Sequence, residues 1–190
     1  MSQIETQSSS VKRLIGNQQF LLLLVWFAMI GIFTAFNSIF FSTAVFGNIL
    51  LDWAPVVLMA VGQTFVIISG GIDLSVGSTV GLSGVVAAFQ MQKMMTNGDN
   101  QWTIIIVGTV VAAAVGTIIG LINGFLITRA KIVPFIATLV TMGAAAGLAI
   151  VYSGGAPVAG GPDKAIELSV PWFGPFSTPG LIVVVIVAIC

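Results

Sequence analysis

The stretch Ile67-Ile68-Ser69-Gly70-Gly71-Ile72-Asp73-Leu74-Ser75-Val76-Gly77-Ser78 sets a carboxylate and a glycine pair inside one of the most apolar regions of a very apolar chain. Gly70-Gly71 can end one helix in a left-handed turn, and Asp73 can open the next by accepting hydrogen bonds from the N–H of Ser75 or Val76. Read this way, the stretch is a break between two helices at membrane depth. Such a break is tolerated only where it is buried in protein or lines a watery cavity. An ionisable residue there points to a transport path as well as to a helix cap. The two readings are compatible: capping accounts for Asp73 itself, and the break lies near a pathway.

Composition supplies the setting. Of 190 residues, 57% are hydrophobic and 6% charged, with a mean hydropathy of +1.13, whereas soluble domains carry about 25% charged residues. The chain is therefore read as all-α, a polytopic transmembrane helix bundle. Its formal net charge is zero, so it offers no basic surface for nucleic acid. Cys190 is the single cysteine and histidine is absent, which removes an internal disulfide, the usual metal ligand and the usual general base. No catalytic residue, metal site or cofactor is expected, and no phosphate-binding loop motif occurs.

Five full spans and a partial sixth are expected. The first runs from Phe20 to about Ser42, the second from Trp53 to Ser69, the third from Leu74 to Gln90, the fourth from Trp102 to Ile127 and the fifth from Val133 to Tyr152. Each approaches the ~20 helical residues that cross a ~30 Å hydrocarbon layer. The first apolar run exceeds the ~7–15 residues of a signal peptide core, so it reads as a retained helix. Pro55 and Pro134 fall at or near span starts, where a missing N–H matters little. Ser153 to Gly180, rich in Gly, Pro and Ser, reads as an exposed loop, with Pro171 to Phe176 as an interfacial segment. Leu181 to Cys190 offers ten residues, about half a membrane crossing. Residues 1–19 thus form a polar N-terminal segment and 20–190 a transmembrane domain expected to be incomplete at its C-terminus.

Orientation follows from the six basic residues, because Lys and Arg near span ends are retained in the cytoplasm. With the N-terminus inside, Lys12, Arg13, Arg129 and Lys131 are cytoplasmic and only Lys93 and Lys164 lie outside. Trp53, Trp102 and Trp172 then fall near the outer interface, where an indole buries its ring and keeps its N–H wet. Within the fourth span Gly108, Ala112, Gly116, Gly120 and Gly124 recur every four residues and form one stripe, as do Gly77 and Gly81, and Gly143 and Gly147. Tight helix packing is the expected use of such stripes, a pore lining the rival one. Gln63, Thr64 and Asn123 are polar groups within spans that need hydrogen-bond partners, or that could serve a neutral polyol.

The residues Val61-Gly62-Gln63-Thr64-Phe65-Val66, continuing through Ser78, closely resemble the signature of the ribose-type sugar permeases of bacterial ABC importers. Gly120-Leu121-Ile122-Asn123-Gly124, followed by Val133-Pro134-Phe135-Ile136-Ala137-Thr138-Leu139, is similar to the same family in order and spacing, and the resemblance extends from Phe20 to Gly180. It implies a permease subunit of the bacterial inner membrane, N-terminus in the cytoplasm, that pairs with a second copy amid membrane lipid. Such a subunit receives a monosaccharide, ribose or a similar pentose, from a periplasmic sugar-binding protein and is driven by a cytoplasmic ATP-binding subunit. The residues it places at the pathway or helix break are Gln63, Thr64, Ser69, Gly70, Gly71, Asp73, Ser75, Asn123 and Phe135. Members of the family continue into a cytoplasmic coupling loop and a second group of helices, so the chain is expected to match the N-terminal half. The competing readings are an ATP-independent channel or secondary carrier using Asp73 as an ion or proton site, and a remnant that does not transport.

Overall fold

The computed structural model of the chain describes residues 18–171 and 176–189. Among the described residues seven α-helices follow one another: α1 Gln18–Phe36, α2 Thr43–Ile68, α3 Val76–Thr96, α4 Gln101–Thr128, α5 Pro134–Ser153, α6 Asp163–Ser169 and α7 Thr178–Ile189. Lys12 and Arg13 in the polar N-terminal segment, Trp172 in the interfacial segment, and Cys190 lie outside the described residues. The polytopic helical architecture is as read from composition. Among the described residues four helices, α1, α2, α4 and α5, are long and apolar enough to cross a membrane, and α3 is long enough but less apolar, so four to five spans stand where five full spans were expected.

Contacts divide the chain into one unit ending at Ile49 and another beginning at Leu50. In the first, α1 has no buried residue and is apolar on every side, as a helix facing lipid should be. It ends sixteen residues after Phe20, at Phe36, and not near Ser42. Asn37 turns the chain: its carbonyl accepts from the Phe40 N–H at 3.0 Å and its side-chain oxygen from the Ile39 N–H at 3.0 Å. Phe33 and Phe40 stack across this turn with centroids 5.5 Å apart, so aromatic residues continue through a helix end that hydropathy alone does not register. Ser42 Oγ then accepts from the Val45 N–H at 3.4 Å and starts α2 ten residues earlier than Trp53. Trp53 and Pro55 consequently lie inside α2, which removes Trp53 from a span start. The missing N–H of Pro55 leaves the Leu51 carbonyl without its helical donor.

The second unit is organised around α3, which packs against both α4 and α5. This placement explains why α3, at 21 residues long enough to span, is less apolar than the others: protein, not lipid, covers much of it. Its buried residues are Leu82, Ser83 and Ala87; those of α4 include Ile104 and Gly108, and those of α5 are Ala137, Thr138, Thr141 and Ala145. Small side chains dominate because helices in lipid gain cohesion from close backbone approach and dispersion. Gly108 is the tightest point. A Cβ there would stand 1.9 Å from Met91 Cε and 2.7 Å from Met91 Cγ.

Asn100 caps α4 by accepting from the Trp102 N–H at 2.9 Å, and α5 begins with Pro134 in its first turn after Val133. The stretch expected as one exposed loop contains α6, and α7 starts at Thr178, three residues before Leu181. Two glutamine side chains fasten this region. Gln92 Nε2 donates to the Ala159 carbonyl at 2.6 Å, and Gln101 Oε1 accepts from the Lys164 N–H at 2.8 Å.

Replacing Gly108 with Ala drives a methyl into Met91, and overpacking of this kind costs about 1–3 kcal/mol. Gly108→Ala is expected to lower the unfolding midpoint in detergent. The double variant with Met91→Ala is expected to be more stable than the sum of the two single losses, by at least about 0.5 kcal/mol. Strict additivity would show that the two residues are not in contact.

Candidate functional site around the helix break

α2 stops where its sequence says it must. The Gly71 N–H donates to the Val66 carbonyl at 3.0 Å and the Gly70 N–H to the Ile67 carbonyl at 2.9 Å, a paired closure that satisfies the last carbonyls of the helix. Gly70 has φ +80°, a conformation that side chains with a Cβ rarely adopt. Ser69 Oγ donates back to the Val66 carbonyl at 2.7 Å. Residues 71–75 then run without regular structure until Thr79 N–H donates to the Ser75 carbonyl at 2.8 Å and α3 begins.

Asp73 holds this crossing through one oxygen. Its Oδ1 accepts from the Ser75 N–H at 2.7 Å and from Ser75 Oγ at 2.6 Å, within the short range of hydrogen bonds to a carboxylate. Its backbone carbonyl accepts from Gln63 Nε2 at 2.6 Å, which ties the break to the helix before it. Ser75 Oγ in turn accepts from Asn123 Nδ2 at 2.9 Å, and Asn123 Oδ1 accepts from Thr141 Oγ1 at 2.7 Å. One asparagine on α4 therefore joins the start of α3 to the middle of α5. Thr138 adds a second tie: its hydroxyl lies 2.9 Å from the Pro134 carbonyl and 3.1 Å from that of Ile72, so its single proton serves either its own helix or the break. Ser75 and Thr138 are each 1% exposed and Asn123 is 6% exposed.

Beside the break is a cavity of about 370 Å³, lined by Asp73, Asn123, Thr138, Gly120 and Gly124 among others. The residues read from the sequence divide accordingly. Gln63, Gly70, Gly71, Asp73, Ser75 and Asn123 come together at the break, and Ser69 lies at its edge. Thr64 does not join them, its hydroxyl donating to Ala60 on its own helix at 2.9 Å. Phe135 is exposed on α5 and is absent from the cavity lining. Thr138 and Thr141 were not among the expected site residues. The available signal was their spacing with Ala137 and Ala145 on the small-residue face of α5.

The glycine stripe on α4 also divides. Gly108 meets Met91, and a Cβ at Gly116 would stand in ordinary contact with Ser83 and Thr79, 3.8 and 4.0 Å away, with half-buried Ala112 between the two glycines. Gly120 and Gly124 have no neighbour within 4 Å of where a Cβ would stand, and both line the cavity. The site as a whole offers amide and hydroxyl groups, bare helix backbone and a single carboxylate. Those groups suit hydrogen bonding to a neutral, hydroxyl-rich molecule better than covalent chemistry.

The family described as the branched-chain amino acid transport system / permease component matches residues 45–189. The ribose import permease protein of Haemophilus influenzae is 36% identical over 85% of this chain and 47% of its own length. The galactofuranose transporter permease protein of Escherichia coli is 38% identical over 75% of this chain and 38% of its own. The autoinducer 2 import system permease protein of an Enterobacter strain is 30% identical over 85% and 45%. The chain thus spans less than half the length of these curated relatives, and no solved structure matches it. Its apolar spanning helices and the match over residues 45–189 together establish that this multi-pass membrane chain belongs to the branched-chain amino acid transport system permease-component family.

Proposed function

We propose that the chain forms part of the membrane-spanning subunit of a bacterial ABC importer for a monosaccharide, ribose or a similar pentose. The sugar passes unmodified beside the break between α2 and α3. The observation that carries this reading is the 370 Å³ cavity at that break, lined by Ser69, Asp73, Asn123, Thr128 and Thr138 together with apolar side chains and glycines. A sugar needs such groups to exchange its hydration for protein contacts. The ribose import permease among the relatives supports the choice of sugar.

In this proposal the subunit is not itself an enzyme. A separate cytoplasmic ATP-binding subunit hydrolyses ATP, a periplasmic sugar-binding protein delivers the substrate, and two permease copies pair in the bacterial inner membrane among its lipids. Residues 20–190 belong to the permease domain and 1–19 form a polar segment in the cytoplasm. Gln63, Gly70, Gly71, Asp73, Ser75 and Asn123 shape the pathway at the break, with Ser69 at its rim. Thr64 and Phe135 take part only if they meet surfaces outside this chain. Gly108, Ala112 and Gly116 serve helix packing.

Pentose uptake into proteoliposomes carrying the permease with its ATP-binding and sugar-binding partners is expected to stop when the ATP-binding subunit is inactivated. Uptake that persists would instead mark a channel or secondary carrier. Asp73→Asn, which keeps an acceptor oxygen for Ser75, is expected to retain more uptake than Asp73→Ala. A carrier that needs the carboxylate as an ion or proton site would lose transport equally with both. Asn123→Leu removes two interhelical hydrogen bonds, each worth about 0.6–2 kcal/mol in a membrane. Thr141 keeps an acceptor in its own helix at 3.2 Å and Ser75 keeps Asp73, so the variant should fold with a lowered unfolding midpoint and sharply reduced uptake.

A further inference from the structure

We infer that Arg129 and Lys131, in the turn between α4 and α5, bind the phosphate of an anionic phospholipid headgroup. This inference does not depend on the sugar-import reading.

The turn is short and closely bonded. After α4 the N–H groups of Arg129 and Ala130 both donate to the Phe125 carbonyl, at 2.9 and 3.2 Å, and the Ile132 N–H donates to the Leu126 carbonyl at 3.0 Å. These bonds satisfy two of the last carbonyls of the helix. The chain turns back at Lys131, whose φ is +57°. No other residue except glycine has positive φ among the described residues, and Gly70, Gly98, Gly154, Gly155 and Gly160 take the remaining such positions. A side chain strains the backbone in this conformation, and glycine removes the strain. The backbone at position 131 therefore favours glycine, so the lysine side chain needs a separate reason.

Its surroundings supply one. Arg129 and Lys131 are both exposed, and neither side chain has an ion-pair or hydrogen-bond partner among the described residues. α4 has 28 residues, a length of about 42 Å at ~1.5 Å per residue. That equals the ~40–45 Å of a bilayer with its headgroups. With half-exposed Trp102 in one polar layer, the turn after Thr128 lies in the other. Exposed Phe125 and Val133 flank it, so hydrocarbon reaches the turn along both helices. The connection, residues 129–133, is too short to lift two cations past the headgroups toward a soluble partner. The anion present at that depth is lipid phosphate, which a guanidinium and an ammonium both suit. Either cation also suits the negative end of α4, but that interaction needs no lipid.

Thermal unfolding of the chain in mild detergent, titrated with phosphatidylglycerol or phosphatidylcholine, tests this. Phosphatidylglycerol is expected to raise the midpoint, since a ligand of the folded state stabilises it, and phosphatidylcholine to do so much less. Added salt should weaken the effect. The phosphatidylglycerol concentration giving half the shift should rise about fivefold for each charge removed, in Arg129→Gln and in Lys131→Gln. It should stay near its original value in Lys131→Arg. Lys131→Gly, which frees the strained backbone, should unfold no lower than the unaltered chain without lipid and show the weakened lipid response. Full response in the double variant Arg129→Gln with Lys131→Gln would overturn the inference. So would a Lys131→Gly variant that is less stable without lipid, which would assign the lysine to the end of α4. An equal shift from inorganic phosphate alone would mark a free-anion site and overturn it as well.

Discussion

Every polar group removed from water inside a membrane must find its partner within the protein, and the interruption between α2 and α3 shows how this chain meets that demand. Five residues leave regular structure between two helices. Their backbone and the Asp73 carboxylate would be costly in hydrocarbon, where unsatisfied groups amount to several kcal/mol each. Gly70 closes the last carbonyls of α2, and Gln63 holds the Asp73 carbonyl. Ser75 and Asn123 pass the demand on to α4 and α5. The three-helix packing of α3, α4 and α5 can be understood as the enclosure that this interruption requires.

That enclosure also explains the character of the core. Most of its buried residues are alanine, glycine, serine or threonine, and Ile104 is the only large aliphatic side chain below 2% exposure among the described residues. On the N-terminal half of α4 the Met91 side chain fills the space beside Gly108, where a methyl would displace it. On the C-terminal half the same four-residue spacing opens onto the cavity. One sequence pattern thus does two different things along a single helix, and only the position of α3 separates them.

Local signals made the break legible from sequence. A glycine pair and an aspartate two residues before a serine specify a turn and an acceptor by themselves, and both are found as read. Asn123 was visible as a polar group needing a partner. Its partners were not, because Thr138 and Thr141 are hydroxyls that can bond to carbonyls of their own helix and so announce no tertiary role. The boundary between α1 and α2 was misplaced for another reason. Phe40 and Phe41 continue the apolar run through the Asn37 turn, and hydropathy reports burial in lipid without reporting where a helix ends. α3 is less apolar than the other long helices because its neighbours take the place of lipid, and α6 is too short to leave a periodic trace.

The hydrogen bonds around the break share a direction. Thr141 donates to Asn123, Asn123 to Ser75 and Ser75 to Asp73, while Gln63 donates to the Asp73 carbonyl. Each donor polarises the next, and the series ends on a charge-bearing acceptor. No member can reverse without leaving its neighbour with two donors or two acceptors face to face. The segment read as a helix break in the sequence is therefore tied on both sides, through Gln63 to α2 and through Asn123 to α4 and α5.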